Sequence, residues 1–586
     1  MSVRGQESVG SAVMEQLCAA MTRRPLVNLT GPLGVGKSEL LGGLEGTVLI
    51  DLDRAGGLTA LRRALAAPAG RTVVVDSADG RSRREALHGE LQRLRDERPP
   101  VVVVSRRPVL SDPRWAHSGA ATVTMTPGRD ERIATQADAV EDAEGKALVL
   151  GLAGGIPLIA DAARRALDAG TPPNAPGAVA DLVAEEILER LGRELPGRQW
   201  RHALRLLATV GSGDERLVPG GPDHFASLAS LSVVGRGALG LTVTEPYRTV
   251  LELAYRWRRP EAHENVRARA RDYRLTRLAA TRDRAERAAL TEQGLFLTAV
   301  PLVRRTLFPA DPGGVSVRTA ADADAGDVGR LMRRWAIDSG FDAGRCDRLT
   351  ERWAGDDISA FHLVHDQRGR AIGLAGLMPI EERTATGVEP LLQQHSAALD
   401  AGGLFLGAAY CPDPAARALL LRHLLRRAAL RDGQLVVSTA NPEYQALMRG
   451  LRFRVHGSIR DDVYGCGRRP VVYSNDFTAA ALPTWLSSTT EAGVAGPTTG
   501  TSSAGPRLAP KELQILLDYV SGMTLKSAAR RAGVSPNTAK DYLSRVKTKY
   551  RLAGRPAYTK IDLAHRVQED GLVPYGPQGL GRGPGG

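Results

Sequence analysis

The chain has 586 residues, with 78 Lys and Arg against 65 Asp and Glu and a formal net charge of +13; at about 150 residues per domain, that length predicts several domains. A composition 43% hydrophobic and 24% charged belongs to globular chains and excludes a disordered one. The most apolar stretch, Ala147–Ala160, is too short to span a membrane and is broken by Pro157.

The basic charge is unevenly spread. Only eight of the basic residues are lysine, six of them beyond residue 510, and Arg507–Gly571 carries 13 basic against 6 acidic side chains. Such blocks meet nucleic acid or anionic surfaces. Cys18, Cys346, Cys411 and Cys466 are too scattered for a disulfide framework or a CxxC metal site. Met1–Gln16 is polar and lacks an apolar signal core, so a cytoplasmic protein with no membrane partner is expected.

In chain order, a helix over about Glu7–Thr22 leads into the strand Leu26–Thr30, followed by strand-like runs at Val48–Leu52, Thr72–Asp76 and Val101–Ser105. Short apolar strands alternating with helices predict a parallel α/β sheet. From Asp130 to Ala310 the pattern is mostly helical, with a hairpin near Leu231–Thr244. Gly31-Pro-Leu-Gly34-Val-Gly36-Lys37-Ser38 fits GxxxxGK[ST] between a strand and a helix-like Glu39–Leu44, the context that a phosphate-binding loop needs. Gly31, Gly34 and Gly36 let backbone N–H groups wrap phosphates, Lys37 reaches the β- and γ-phosphates, and Ser38 ligates Mg²⁺. Val73–Asp76 reads as the strand that brings Asp76 to the same Mg²⁺. No Glu follows Asp76, so Asp79 is left to position water, which predicts at most a slow ATPase. Ser105 and Arg106 end the next strand as γ-phosphate sensors; Arg106 and Arg107 read equally well as solvated loop charges.

These motifs, with Leu152-Ala-Gly-Gly-Ile-Pro157-Leu158, resemble the STAND branch of AAA-related signalling ATPases over about residues 10–260. The resemblance implies a nucleotide switch with a helical lid and a winged-helix-like unit, and it places Pro157 near the base. Thr244 stands where that family often has a histidine against ADP.

Alternation resumes at Val315, with strands Val315–Arg318, Phe361–His365, Ala371–Pro379, Leu404–Ala409 and Gln434–Thr439, and helices Ala325–Ile337, Ala415–Arg431 and Pro442–Arg449. The order, and the segment Asn441–Phe453, resemble the GNAT acetyltransferases. The loop after Leu404–Ala409 has no glycine pair, and Met448 stands at the position of that family's frequent tyrosine acid. A GNAT-like fold kept for sensing or assembly is expected, with an active acetyltransferase as the alternative. His362 and His365 sit three apart on a strand and so face opposite ways, which reads as packing rather than metal binding.

Ser487–Pro506 is a polar Ser/Thr/Gly/Pro tract, read as linker. Beyond it, an amphipathic helix from Leu508, a short helix ending at Gly533, and Ser535-Pro-Asn-Thr opening a third helix form a helix–turn–helix pattern. Leu508–Gln568 closely resembles the LuxR-type four-helix DNA-binding domain. Periodicity turns Ala539, Leu543, Val546 and Tyr550 inward. It turns Asn537, Lys540, Asp541 and Ser544 toward a major groove, where Lys540 meets guanine and Asp541 meets cytosine. Ser535 and Thr538 open that helix, and Arg545, Lys547, Lys549 and Arg555 are expected on phosphates.

The expected architecture is therefore a multidomain α/β plus all-α chain: a P-loop domain (1–130), a helical lid and winged-helix-like region (131–312), a GNAT-like α+β domain (313–483), a linker (484–506), a four-helix DNA reader (507–572) and a tail (573–586). The function expected is a transcription regulator in which ATP or ADP with Mg²⁺ controls homo-oligomer assembly and binding to double-stranded DNA. RNA polymerase is a further candidate partner, and a DNA-targeted acetyltransferase is the alternative.

Overall fold

The computed structural model describes residues 9–67, 71–93, 99–128, 131–218, 220–309, 314–398, 402–490, 508–520 and 523–552, with Leu563 and Val567. The chain divides into two units, residues 1–492 and 493–586.

The first sheet of the larger unit comprises β1 (Leu26–Thr30), β2 (Thr47–Asp51), β3 (Thr72–Asp76), β4 (Val101–Ser105) and β5 (Ala121–Thr124) in the order β2-β3-β4-β1-β5. Every pairing is parallel. The valine runs of β3 and β4 are buried on both faces, as a sheet covered by helices on each side requires. Four of these strands were legible in the sequence. The fifth, with its alternating Ala-Thr-Val-Thr, was not. β4 lies between β1 and β3, so the strand carrying the glycine loop and the strand ending in Asp76 flank a third whose end faces both.

Ten helices follow between Glu131 and Leu307 among the described residues. Within them sits a small antiparallel sheet of β6 (Ser212–Gly213), β7 (Val234–Gly237) and β8 (Gly240–Val243), in the order β6-β8-β7. One continuous core joins Leu29, Val102 and Val104 of the parallel sheet to Ile159, Ile187, Leu207 and Leu251 of these helices. The helices from Glu131 to Arg258 are therefore a second layer on the parallel sheet, whereas Leu290, Leu295, Val303 and Leu307 belong to the core of the second sheet.

The second sheet has seven strands: β9 (Ser316–Thr319), β10 (Phe361–His365), β11 (Ala371–Pro379), β12 (Leu404–Tyr410), β13 (Gln434–Thr439), β14 (Arg454–Ser458) and β15 (Val471–Asp476). Their order is β14-β15-β13-β12-β11-β10-β9, antiparallel except for β12 with β13. The predicted strands and helices of this region all appear, and the helix Ala343–Asp357 is added to them. On one face of the sheet, Leu406, Leu421 and Leu425 share a core with Leu290 and Leu295 of the helix Arg284–Phe296.

A helix at Leu482–Thr490 closes that core. Trp485 and Leu486 are buried, and the Trp485 indole donates to Leu451 O at 2.7 Å. Gly294 lies so close that a Cβ on it would stand 2.3 Å from Leu486. The expected linker over 484–506 is corrected at its beginning, because residues 484–490 are helical and partly core. The rest of the linker and the tail at 573–586 lie outside the described residues.

In the smaller unit, helices Pro510–Val520, Leu525–Ala532 and Pro536–Leu552 enclose Ile515, Leu516, Ala529, Ala539, Leu543, Val546 and Tyr550. Thr524 caps the second helix and Gly533, at φ 69°, ends it, each residue type suiting its terminus. The expected fourth helix falls outside the described residues, apart from buried Leu563 and Val567.

Candidate functional site

The loop between β1 and the helix Lys37–Leu41 is built on glycine for steric reasons. Gly34 has φ +74° and a Cβ on it would lie 2.3 Å from Leu158; Gly36 has φ +100° and would meet the Arg132 guanidinium at 2.5 Å. Both the left-handed backbone and the close neighbours exclude any side chain. Leu158, next to Pro157, donates its backbone N–H to Gly34 O at 3.3 Å. The Gly-Gly-Ile-Pro segment is thus seated directly on the loop.

A cleft of roughly 660 Å³ opens here, within the usual size for small-molecule sites. It is lined by Gly34, Gly36, Lys37, Ser38, Asp76, Asp79, Ser105, Arg106 and Pro157, which sequence reasoning had singled out. Gly31 is the exception. It sits behind the loop, where a Cβ would meet Met125 O at 2.5 Å, and it offers its carbonyl to Lys37.

Two contacts define what the cleft does chemically. The Ser38 hydroxyl donates to Asp76 Oδ2 at 2.8 Å, bringing together a hydroxyl and a carboxylate of the type that hard divalent cations take along with phosphates and water. Among the described residues no group of three or more His, Cys, Asp or Glu is placed to hold a metal. The Lys37 ammonium is buried and donates to Gly31 O at 2.6 Å and Pro32 O at 2.9 Å. Burial pulls its pKa down to about 8, against the opposing pull of Asp79 and Asp76. An ammonium with only carbonyls for partners is primed for an anion.

The end of β4 differs from expectation. The Ser105 hydroxyl accepts from Asn28 Nδ2 at 2.9 Å and donates to Arg107 O at 2.7 Å, so its proton shapes the strand end and does not point at a ligand. Asp79 accepts from the Arg106 N–H at 2.9 Å and lies 3.6 Å from both Arg84 and the Arg106 side chain. Its contacts therefore go to Arg106 and Arg84, and it positions the end of β4. The Arg106 guanidinium pairs with Glu194, and Glu194 accepts from the N–H and hydroxyl of Ser232 at 2.7 and 2.6 Å. Arg107 reaches Ala229 O at 3.1 Å and also bonds Leu231 O and Val234 O. Both arginines are structural contacts to the helical layer, and solvated loop charges are excluded.

Sequence reasoning missed several participants. Tyr247, fully buried, donates its hydroxyl to Leu33 O at 2.5 Å, tying the glycine loop to the helix Tyr247–Arg258. Thr244, three residues before it, bonds Val233 O at 3.1 Å. Arg132 and Glu194 line the cleft from the helical layer. No local spacing announces them; the nearest signal is Asn28, a lone amide inside an apolar strand, which needs partners when buried.

In the mixed sheet, β12 and β13 pair only from Leu404 to Leu406 and then diverge. The Tyr464 hydroxyl donates to Gly407 O at 3.2 Å, its ring stacks on Phe341 at 4.6 Å, and Trp335 meets both edge-on. The pocket beside Met448 is narrow, with roughly 30 Å³ open to water. Both strand histidines are packing groups. His362 lies 3.2 Å from His423 and burial brings it down to about 4, while His365 lies 3.3 Å from Arg318.

On the third helix of the smaller unit, Asn537, Lys540, Asp541, Ser544 and Arg545 are exposed on the side opposite the core. Ser535 and Thr538 are occupied in capping: the Ser535 hydroxyl accepts from Thr538 N at 3.1 Å and lies 2.8 Å from the Thr538 hydroxyl. Lys549, expected on phosphate, instead donates to buried Glu512 at 2.6 Å. Lys547 is half-buried, and Arg555 lies outside the described residues.

No model of a protein family matches the chain, and no curated protein matches it. Solved structures are similar over parts of it. The Walker-type ATPase Paby2304 of Pyrococcus abyssi is 14% identical, covering 43% of this chain and 99% of that one with a TM-score of 0.31. RuvB of Thermotoga maritima is 18% identical over 41% of this chain and 94% of its own, with a TM-score of 0.25. A histone acetyltransferase HPA2 and related acetyltransferase from Corynebacterium glutamicum is 16% identical over 28% of this chain and 97% of its own, with a TM-score of 0.23.

Proposed function

We propose that the chain is a nucleotide-switched, DNA-binding transcription regulator. ATP or ADP occupies the cleft with its phosphates on the 31–38 loop, Lys37 as the phosphate cation, and Mg²⁺ on Ser38 and Asp76. Pro157 borders the base, and Arg106 passes the state of the nucleotide to the helical layer through Glu194. The observation that carries this reading is the Ser38–Asp76 contact at 2.8 Å beside a buried, carbonyl-bound Lys37. Double-stranded DNA is read by the exposed face Asn537, Lys540, Asp541 and Ser544, with Arg545 on a phosphate. The boundaries at 130, 312 and 506 separate switch, lid, mixed-sheet domain and reader, and nucleotide-dependent self-association brings several readers to adjacent sites.

Lys37→Ala tests the switch: it abolishes ATP and ADP binding, and unchanged affinity refutes the assignment. Genome-wide mapping of bound sites for wild type and this variant tests the coupling. Lys540→Ala lowers affinity for a selected site by about 1–3 kcal/mol, whereas equal binding across many sequences rejects the groove face. The acetyltransferase alternative lacks the glycine pair after Leu404–Ala409 and a proton donor at Met448. Saturable acetyl-CoA binding by the full chain would restore it.

A further inference from the structure

A second cleft, roughly 830 Å³, lies away from the glycine loop among the helices Tyr247–Arg258, Pro260–Ala280 and Pro301–Leu307. Six arginines and two glutamates contribute to its walls; Arg248 is paired with Glu245 outside the lining and Arg271 with Glu264 at 3.4 Å, which leaves Arg256, Arg267, Arg304 and Arg305 to share Glu252 and the rest of Glu264. The imbalance continues into its floor. Glu252 is buried, and its one carboxylate is shared by Arg304, by Arg267 at 3.5 Å and by His263 at 3.4 Å. The hydrogen bonds of Arg267 otherwise go to Leu297 O at 2.9 Å and Thr298 O at 3.0 Å, with the Glu264 carboxylate more distant at 3.9 Å, and Arg304 also donates to Phe296 O at 2.9 Å. Neutral carbonyls satisfy hydrogen bonds but not charge. Arg248 and Arg304 both lie over the Phe296 ring, at 4.3 and 4.2 Å from its centre, so one ring keeps two guanidiniums near each other.

Desolvated cations in excess of their counter-charges are costly unless an anion joins them. Burial lowers the pKa of Arg267 to about 10, with Arg304 adding to the effect. The guanidinium fork matches the oxygens of phosphate and carboxylate alike, and Leu253 and Phe308 add an apolar wall.

We propose that this cleft binds a small, multiply charged oxyanion, a phosphorylated or polycarboxylate metabolite, with Arg304 and Arg267 at its floor and Arg256 and Arg305 at its rim. The site is formed by the same helix whose Tyr247 holds the glycine loop and by the helix Pro301–Leu307, which shares a core with the mixed-sheet domain. Its occupant therefore contacts both halves of the larger unit.

Calorimetric titration of the full-length Lys37→Ala protein separates this site from the nucleotide cleft and from the fate of the nucleotide reading. Tripolyphosphate and citrate are the two probes. Saturable binding of either one, weakened at least tenfold by Arg256→Glu with Arg305→Glu, supports the proposal, and the better probe identifies the source of the charge. Both positions are exposed, and the milder Arg256→Gln with Arg305→Gln pair guards against a folding defect. Failure of both probes to bind, or binding unaffected by both double variants, overturns it.

Discussion

On the proposed reading, Lys37 should make nucleotide binding a proton-uptake reaction. Its surroundings hold the amine at about 8 in place of its ordinary 10.5, with burial as the main cause. That displacement corresponds to about 3 kcal/mol against the charged form. A phosphate brought beside the amine reverses the balance, so the occupied site restores the ammonium. Above pH 8 the site is mostly neutral before binding and charged after it. Each event then draws a proton from buffer, and affinity falls as pH rises. About a tenth of a proton is expected at pH 7, about half at pH 8 and about nine-tenths at pH 9, with affinity for Mg²⁺-ADP falling about tenfold from pH 7 to pH 9. Calorimetry in buffers of different ionisation enthalpy measures the uptake directly. Lys37→Arg keeps the charge without titrating, so its uptake at pH 8 should vanish. Equal uptake at pH 7 and pH 8, or an unchanged half proton in Lys37→Arg, would refute the reasoning.

Tyr247→Phe keeps the ring and leaves Leu33 O without its donor, at a cost of about 1–3 kcal/mol; both the melting temperature and ADP affinity should fall, and if neither moves the tie is unimportant. Trp485→Ala should destabilise the larger unit by about 3–5 kcal/mol, whereas a residue in a true linker would leave thermal unfolding unchanged. Glu512 is pushed up by burial, but its bonds from Lys549 and from the Ala509 N–H outweigh that and hold it below the usual carboxylate range. Stability contributed by this depressed carboxylate is complete above about pH 4.5 and is lost as pH falls through its folded value. Hydrogen exchange of the helix Pro510–Val520 should accelerate over that window in wild type and already be faster at neutral pH in Lys549→Ala. Lys549→Ala should also leave the salt dependence of DNA binding unaltered, since a lysine spent on Glu512 neutralises no phosphate; a slope reduced by about one would return it to the DNA.

The parts of this molecule that could be read from the sequence are those whose cause is local. The glycine loop announces itself because backbone geometry demands glycine at Gly34 and Gly36. The strands and helices of the mixed-sheet domain show their period, and the inward face of the third helix follows from 3.6-residue spacing. What escaped notice depends on distant partners. Tyr247 meets Leu33 across 214 positions and Arg106 meets Glu194 across 88, and no window along the chain contains both. Ser105 and Asp79 were legible as cleft residues, but their contacts with Arg107, Arg84 and Arg106 were not, since no spacing along the chain announces them. The partner of Lys549 was hidden for the same reason, Glu512 being on another helix. The helix Leu482–Thr490 hid among serines and threonines, with Trp485 as its one clue.

The hydroxyl of Tyr247 has a consequence for biosynthesis. The glycine loop emerges from the ribosome early, but its brace lies 214 residues downstream, with the helical layer in between. Contacts of such long span form late, because loop closure must precede their reward. The nucleotide site therefore gains its brace only after the helix Tyr247–Arg258 has been synthesised and has docked. Until then a nascent chain carries the phosphate motif without the brace, and chains interrupted within the helical layer should be the ones that bind nucleotide poorly.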